Sequence, residues 1–322
     1  MSALLEIDDL HLDIPGAAGV LRALRGVSLR IEAGETFAIV GESGCGKSLT
    51  AMSALGLLPR AARLRCKALR FDGQDLSGLS QRGWNALRGP QIAAIFQEPM
   101  TALNPVLPIR AQMVEAYVSH GLGDAAAARR RAEELLERVG VVPVARRMAQ
   151  FPHQMSGGLR QRVMIAMALM CRPRLMIADE PTTALDVTTQ VEILKLLQEL
   201  QRDTGMALML ITHDLGVVAH VAGRMAVMYA GEVVETGPAA QVITAPAHPY
   251  TAALLRCLPV QASRDLPLVP IPGVVPALFG ALEGCAFRNR CPQAQDRCAQ
   301  PIPWRARGAG GYRCVLAEGA AP

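Results

Sequence analysis

The residues best suited to chemistry stand at 41–48, which read Gly41-Glu42-Ser43-Gly44-Cys45-Gly46-Lys47-Ser48, with Leu49 following. This fits G-x-x-x-x-G-K-[ST]. Glycines at that spacing let the backbone curl until its N–H groups point inward at phosphate oxygens. A helix opening there adds the partial positive charge of its N-terminus. Lys47 is placed for the β- and γ-phosphates, and the Ser48 hydroxyl for Mg²⁺. Cys45 reads as a small residue at a variable position of the loop, not a nucleophile. A second constellation is Leu175-Met-Ile-Ala-Asp179-Glu180, an apolar strand ending in two adjacent acids. Ligands of α/β sheets bind beyond the carboxyl ends of strands. Asp179 therefore suits the Mg²⁺ shell, and Glu180 suits polarisation of an attacking water. Together the two segments imply hydrolysis of a nucleoside triphosphate and not binding alone.

These residues need a scaffold, and its pattern is visible. Thr36–Val40 reads as a buried strand ahead of the glycine turn, and a helix is expected from about 47 to 57. Leu175–Ala178 and Ala207–Ile211 are further strand-length apolar runs. Between them Val191, Leu194, Leu197 and Leu200 recur at helical spacing, with Glu192, Lys195 and Glu199 on other faces. Strands alternating with helices imply a mostly parallel sheet covered on both sides. A helix-rich stretch occupies about 105–170, with Asp124 as N-cap, Arg129, Arg130 and Arg131 as a solvated face, and Gly140 as a stop. From about Ala239 prolines recur, among them Pro246, Pro249, Pro259, Pro267, Pro270, Pro272 and Pro276, and forbid long helices. A boundary is placed near residue 240.

Composition narrows the class. The 322 residues carry 33 basic and 28 acidic side chains, and 51% of them are hydrophobic. That excludes intrinsic disorder. A net charge of +5, scattered along the chain, does not imply nucleic acid. The longest unbroken apolar run, 163–171, falls far short of the roughly 20 residues of a membrane span. Glu6, Asp8, Asp9 and Asp13 near the start, without a basic residue, do not suit a secretory signal. A cytoplasmic location is expected, where thiols stay reduced and clustered cysteines more often bind metal.

At this point the sequence resembles the ATP-binding subunits of ABC transporters across nearly all of its first 235 residues. The family's signature is similar to Met155-Ser156-Gly157-Gly158-Leu159, followed by Arg160-Gln161-Arg162. Its Q-loop resembles Ile95-Phe96-Gln97-Glu98-Pro99, its D-loop Ala184-Leu185-Asp186, and its switch histidine His213 in Ile211-Thr-His-Asp214. The resemblance implies an α/β P-loop NTPase (RecA-like) core with an antiparallel β subdomain and a helical signature subdomain at about 100–170. It also implies a head-to-tail dimer in which ATP lies between one chain's P-loop and its partner's Ser156, Gly157 and Gly158. Gln97 would sense Mg²⁺ and the water, His213 would hold the γ-phosphate and orient Glu180, and Asp186 would belong to the nucleotide-binding residues. Two departures stand out. Leu159 replaces the family's usual glutamine, as in peptide-importer relatives, and Ile14 stands where many cassettes place an aromatic residue against adenine.

Within the family the branch resembles the dipeptide and oligopeptide importers. The carriers are Phe96-Gln-Glu-Pro-Met-Thr-Ala-Leu-Asn-Pro105, Asp179-Glu-Pro-Thr-Thr-Ala-Leu-Asp186, His248-Pro-Tyr-Thr251, Ile271-Pro-Gly-Val-Val-Pro276 and the tail at 284–292. This divides the chain into an ABC domain, 1–240, and a small proline- and cysteine-rich extension, 241–322. The extension spaces Cys285, Cys291, Cys298 and Cys314 as C-x5-C-x6-C-x15-C, unlike a C-x2-C zinc pattern. The resemblance implies a 4Fe–4S cluster on these four thiolates, with zinc or free thiols as alternatives. It further implies a second, paralogous ABC ATPase chain, two transmembrane permeases, an extracytoplasmic substrate-binding protein, and a peripheral position on the cytoplasmic face of the inner membrane. The alternatives are an importer of nickel or another small solute, or a soluble ABC ATPase of repair or translation. The latter lacks its insertions or its fused second cassette here. A regulatory module with a dead site is disfavoured because Lys47, Asp179, Glu180 and His213 are intact.

Overall fold

The computed structural model describes residues 3–17, 19–97, 102–183, 185–257, 270–276, 278–280 and 282–316. Glu98, Pro99, Met100 and Thr101 of the expected Q-loop segment, Ala184, Pro259 and Pro267 lie outside the described residues. The chain divides into two units, Met1–Ser77 with Ile211–Pro322, and Gly78–Leu210.

The first unit begins with a long antiparallel pair, β1 (Leu5–Gly16) and β2 (Gly19–Ile31). Leu5, Ile7, Leu10 and Leu12 are buried on β1, and the register shifts between Ile7 and Leu10, around Asp9 at φ +52°. β3 (Thr36–Val40) is buried throughout and leads through the glycine loop into α1 (Lys47–Leu55), two residues shorter than expected because Gly56 adopts a left-handed conformation. β4 (Arg63–Arg65), β5 (Ala68–Phe71) and β6 (Gln74–Asp75) complete a five-stranded antiparallel sheet with path β2-β1-β5-β6 and β4 against β1.

The second unit holds α2 (Gln81–Leu87), β7 (Ile92–Ile95), α3 (Ile109–Val118), α4 (Ala125–Arg138), α5 (Val144–Met148) and α6 (Gly157–Ala168). After them come β8 (Leu175–Asp179), α7 (Val187–Thr204) and β9 (Ala207–Ile211). The strands lie in the order β9-β8-β7, and β7 runs parallel to β8. Asp124 caps α4 by accepting from the Ala127 N–H at 2.7 Å, as its type and place predict. Two expectations need correction. Val191 is 47% exposed, because α7 turns Ile193, Leu194, Leu196, Leu197 and Leu200 inward instead. Arg131 is not fully solvated: its guanidinium donates to the Leu169 carbonyl, while Arg129 and Arg130 remain exposed.

The chain then returns to the first unit with α8 (Leu215–Val221), β10 (Arg224–Tyr229), β11 (Glu232–Pro238), α9 (Ala239–Thr244), α10 (Pro249–Arg256), β12 (Arg305–Arg307) and β13 (Gly310–Tyr312). Here the strand order is β12-β13-β11-β10-β3, with β10 parallel to β3 and β13 antiparallel to β11. Residues past 240 are thus woven into the sheet that carries the glycine loop. Buried Glu235 of β11 accepts from the backbone N–H groups of Ala247 and His248, at 2.7 and 3.0 Å. Buried Glu232 pairs with Arg25 of β2 at 2.8 Å. The tail also straps β2: Arg22 N–H donates to the Leu278 carbonyl, and Phe279 bridges Leu21. One hydrophobic core runs from Val40 and Val227 to Tyr229, Tyr250 and Phe287. Those three rings pack with centroids 4.6–5.3 Å apart, in tilted or edge-on contacts.

Candidate ATP-hydrolysis site

The glycine loop departs from the end of a fully buried strand. Gly41 has φ +153°, and a Cβ there would lie 2.2 Å from the Met228 carbonyl oxygen, so the close approach of β10 demands glycine. Gly46 caps α1 without a side-chain bond, and the first turn of α1 carries no acid. Its leading N–H groups are therefore available to an anion. Lys47 is only 5% exposed and folds back over the loop, donating to the Gly41 and Glu42 carbonyls at 2.8 and 3.0 Å. Ser43 and Gly44 are exposed at the loop's crest, and Ser48 and Leu49 are half-buried. Burial pushes the Cys45 thiol up, against the opposing pull of Lys47, which fits its expected inertness. His213 is exposed in the turn ahead of α8, whose N-cap is Asp214, accepting from Gly216 and Val217 N–H.

In the second unit, β8 is buried along its length and delivers Asp179, 8% exposed, with Glu180 immediately after it. Glu180 has φ +46°, a left-handed conformation that costs a non-glycine residue about 1–3 kcal/mol. Its Oε2 accepts from Gln97 Nε2 at 3.0 Å and from Thr183 Oγ1 at 2.9 Å. Two residues that the sequence singled out separately, Gln97 and Glu180, therefore share one hydrogen bond. Ser156 caps α6 by accepting from Leu159 N–H at 3.4 Å, and Ser156 and Gly157 are exposed. Asp186 caps α7, accepting from Thr189 N–H at 3.0 Å and Thr189 Oγ1 at 2.7 Å. The Thr189 backbone bond holds its carboxyl below the usual range.

A relation between these last two motifs was not legible in the sequence. A Cβ on Gly157 would sit 3.4 Å from Leu185, and one on Gly158 only 3.0 Å from Thr189. The signature glycines thus face the turn that Asp186 caps. Arg162 reinforces the pair by bonding Glu192 at 2.8 Å and the Val139 carbonyl at 2.7 Å.

The C-terminal cysteines converge. Cys285, Cys291, Cys298 and Cys314 line one small cavity with His248 and Phe287. Each sulfur accepts a backbone N–H, from Phe287, Gln293, Gln295 and Leu316 respectively. Burial pushes the Cys285 thiol up to about 11 and raises Cys291 and Cys314 as well. Among the described residues, no group of three or more His, Cys, Asp or Glu side chains is close enough to hold a metal ion. The zinc and iron–sulfur expectations therefore gain no support from a ready-made ion site.

A phosphate loop of this form, together with an acidic strand end bonded to a glutamine, defines an ATPase of the ATP-binding-cassette class. The family model described as ABC transporter matches residues 24–183, and that described as oligopeptide/dipeptide transporter, C-terminal region, matches residues 234–298. The chain belongs to the family of dipeptide and oligopeptide ABC transporter ATP-binding subunits, and it hydrolyses ATP. The dipeptide transport ATP-binding protein of Escherichia coli K12 is 48% identical over 94% of this chain and 92% of its own. The oligopeptide transport ATP-binding protein of Salmonella typhimurium LT2 is 44% identical, covering 98% and 94%. Among solved structures, a dimeric bacterial ABC transporter cassette superposes with a TM-score of 0.64 at 28% identity, covering 73% of this chain and 98% of its own. No helix of the described residues is long and apolar enough to cross a membrane.

Proposed function

We propose that the chain is the ATP-hydrolysing subunit of an importer of di- and oligopeptides. What carries the reading is the likeness to dipeptide transport ATP-binding proteins, which extends past the cassette into residues 234–298. On this reading the chain is peripheral on the cytoplasmic face of the inner membrane. There it pairs head-to-tail with a second, paralogous ATPase chain, beneath two permeases fed by a substrate-binding protein. The loop from Gly41 to Leu49 binds the triphosphate, with Lys47 on the β- and γ-phosphates. Ser48, Gln97 and Asp179 serve Mg²⁺, Glu180 polarises water, and His213 holds the γ-phosphate and orients Glu180. Ser156, Gly157 and Gly158 receive the partner's nucleotide, and Asp186 contributes to nucleotide binding. The ABC domain spans 1–240 and the extension 241–322.

Disrupting the gene should abolish growth on a dipeptide as sole source of a required amino acid. The wild-type chain should restore growth, and a Lys47→Ala chain should not. Intact peptide uptake with loss of nickel uptake would assign the nickel alternative instead.

The same reading places a 4Fe–4S cluster on Cys285, Cys291, Cys298 and Cys314. The four thiols share one cavity, and each faces a backbone N–H, the arrangement that stabilises thiolate charge around such clusters. A cluster spreads its ligands over four irons, so it does not require them at the spacing of a single ion. When bound, it would supply a covalent clip across a segment poor in secondary structure. Anaerobically purified protein should be brown, contain about four irons and four sulfides per chain, and bleach with dithionite. A colourless preparation with one zinc per chain refutes the cluster.

A further inference from the structure

We propose that the C-terminal segment completes the phosphate loop, with Arg290 and Tyr250 as positioning residues that fix Glu42; this rests on ATP binding at the loop from 41 to 48. The Arg290 guanidinium grips the Glu42 carboxylate in a two-pronged bond, NH1 to Oε2 at 2.7 Å and NH2 to Oε1 at 2.9 Å. Its side chain is only 5% exposed. The guanidinium is itself aimed by the Pro272 carbonyl, which accepts from Nε at 2.8 Å, and by the Ile271 carbonyl at 3.3 Å. Its plane also lies near the Tyr229 and Phe287 rings, 5.8 and 6.0 Å from their centroids. From α10, the fully buried Tyr250 places its hydroxyl 2.9 Å from the Glu42 N–H and accepts from it.

Glu42 is therefore held at three points: its carboxylate by Arg290, its N–H by Tyr250 and its carbonyl by Lys47. Lys47 must abandon the Gly41 and Glu42 carbonyls to reach a phosphate. Once it does, Arg290 and Tyr250 still fix that end of the loop, together with the Cys45 N–H that donates to the Glu42 carbonyl at 3.3 Å. Charge gives a second reason. A carboxylate beside a triphosphate site repels the ligand, and the paired guanidinium cancels that repulsion. A bidentate arginine is not replaceable by the point charge of a lysine, so shape as well as charge is at stake.

The test measures equilibrium binding of a fluorescent ATP analogue, and steady-state kcat and KM, on full-length protein. Arg290→Ala should weaken nucleotide binding about tenfold or more, the scale of one charged hydrogen-bond pair. At saturating ATP its kcat should stay within about twofold of the wild type, a KM effect that a general folding defect does not give. Arg290→Lys should recover part of the loss. Glu42→Gln combined with Arg290→Ala should recover more, because the stranded charge is gone. Tyr250→Phe tests the other contact without removing a charge and should weaken binding by about threefold. Wild-type affinity in both Arg290→Ala and Tyr250→Phe overturns the proposal. If Arg290→Ala does not fold, Tyr250→Phe and the double variant decide. Failure of the wild-type chain to bind the analogue would instead refute ATP binding at the loop.

Discussion

Replacing Glu180 by Gln is expected to stop turnover while leaving ATP bound. The carboxylate sits at the end of a fully buried strand, on a backbone twisted to φ +46°, and its Oε2 is fixed by Gln97 and Thr183. A glutamine fills the same space and keeps an oxygen acceptor for those two donors, so the fold has no reason to change. What it loses is the charge that draws a proton from water. Loss of a positioned general base costs about 10²–10⁴-fold in rate. Phosphate release should fall by that factor, and with ATP, Mg²⁺ and the proposed paralogous chain the variant should elute as a dimer, since hydrolysis would no longer reopen it. Turnover within a few-fold of the wild type would remove Glu180 from the role of base.

The second large effect is at Lys47. Lys47→Ala should abolish nucleotide binding and not merely slow the chemistry. Lys47 is the only basic residue of the loop from 41 to 49, and its ammonium rests on the Gly41 and Glu42 carbonyls. Without nucleotide, the melting temperature should stay close to the wild type's, because Arg290 and Tyr250 still hold Glu42. Saturating ATP should raise the wild-type melting temperature, because ligation adds about 4 kcal/mol of stability at a thousandfold excess over Kd. The variant should show no such rise. An undiminished ATP-dependent shift would contradict the role given to Lys47.

How much of this was legible in the sequence depends on how local each feature is. β3, β8 and β9 announced themselves as apolar runs, because a strand buried on both faces has no polar positions. The glycine loop was legible because its backbone geometry restricts residue type, as the clash at Gly41 demonstrates. Asp124 was legible because capping is settled within four residues. Val191 misled because period alone does not say which edge of an apolar stripe faces inward, and α7 is rotated toward Ile193 and Leu196. The pairing of Glu42 with Arg290, and of β11 with β13, joins segments with no mutual signal in spacing or composition. The same holds for the facing of Gly158 by Thr189. Such contacts come from topology, and a single sequence does not state them.

The weaving of the chain's two ends into one unit sets an order on its synthesis. β3 emerges early from the ribosome, yet its partner β10 begins at Arg224, and the guanidinium that locks Glu42 belongs to residue 290. Contacts so distant along the chain form late. A half-translated chain therefore carries the glycine loop without the strand behind it or the clamp beside it. By the proposal above, a chain that stops short of Arg290 should therefore bind ATP more weakly than one that carries the clamp.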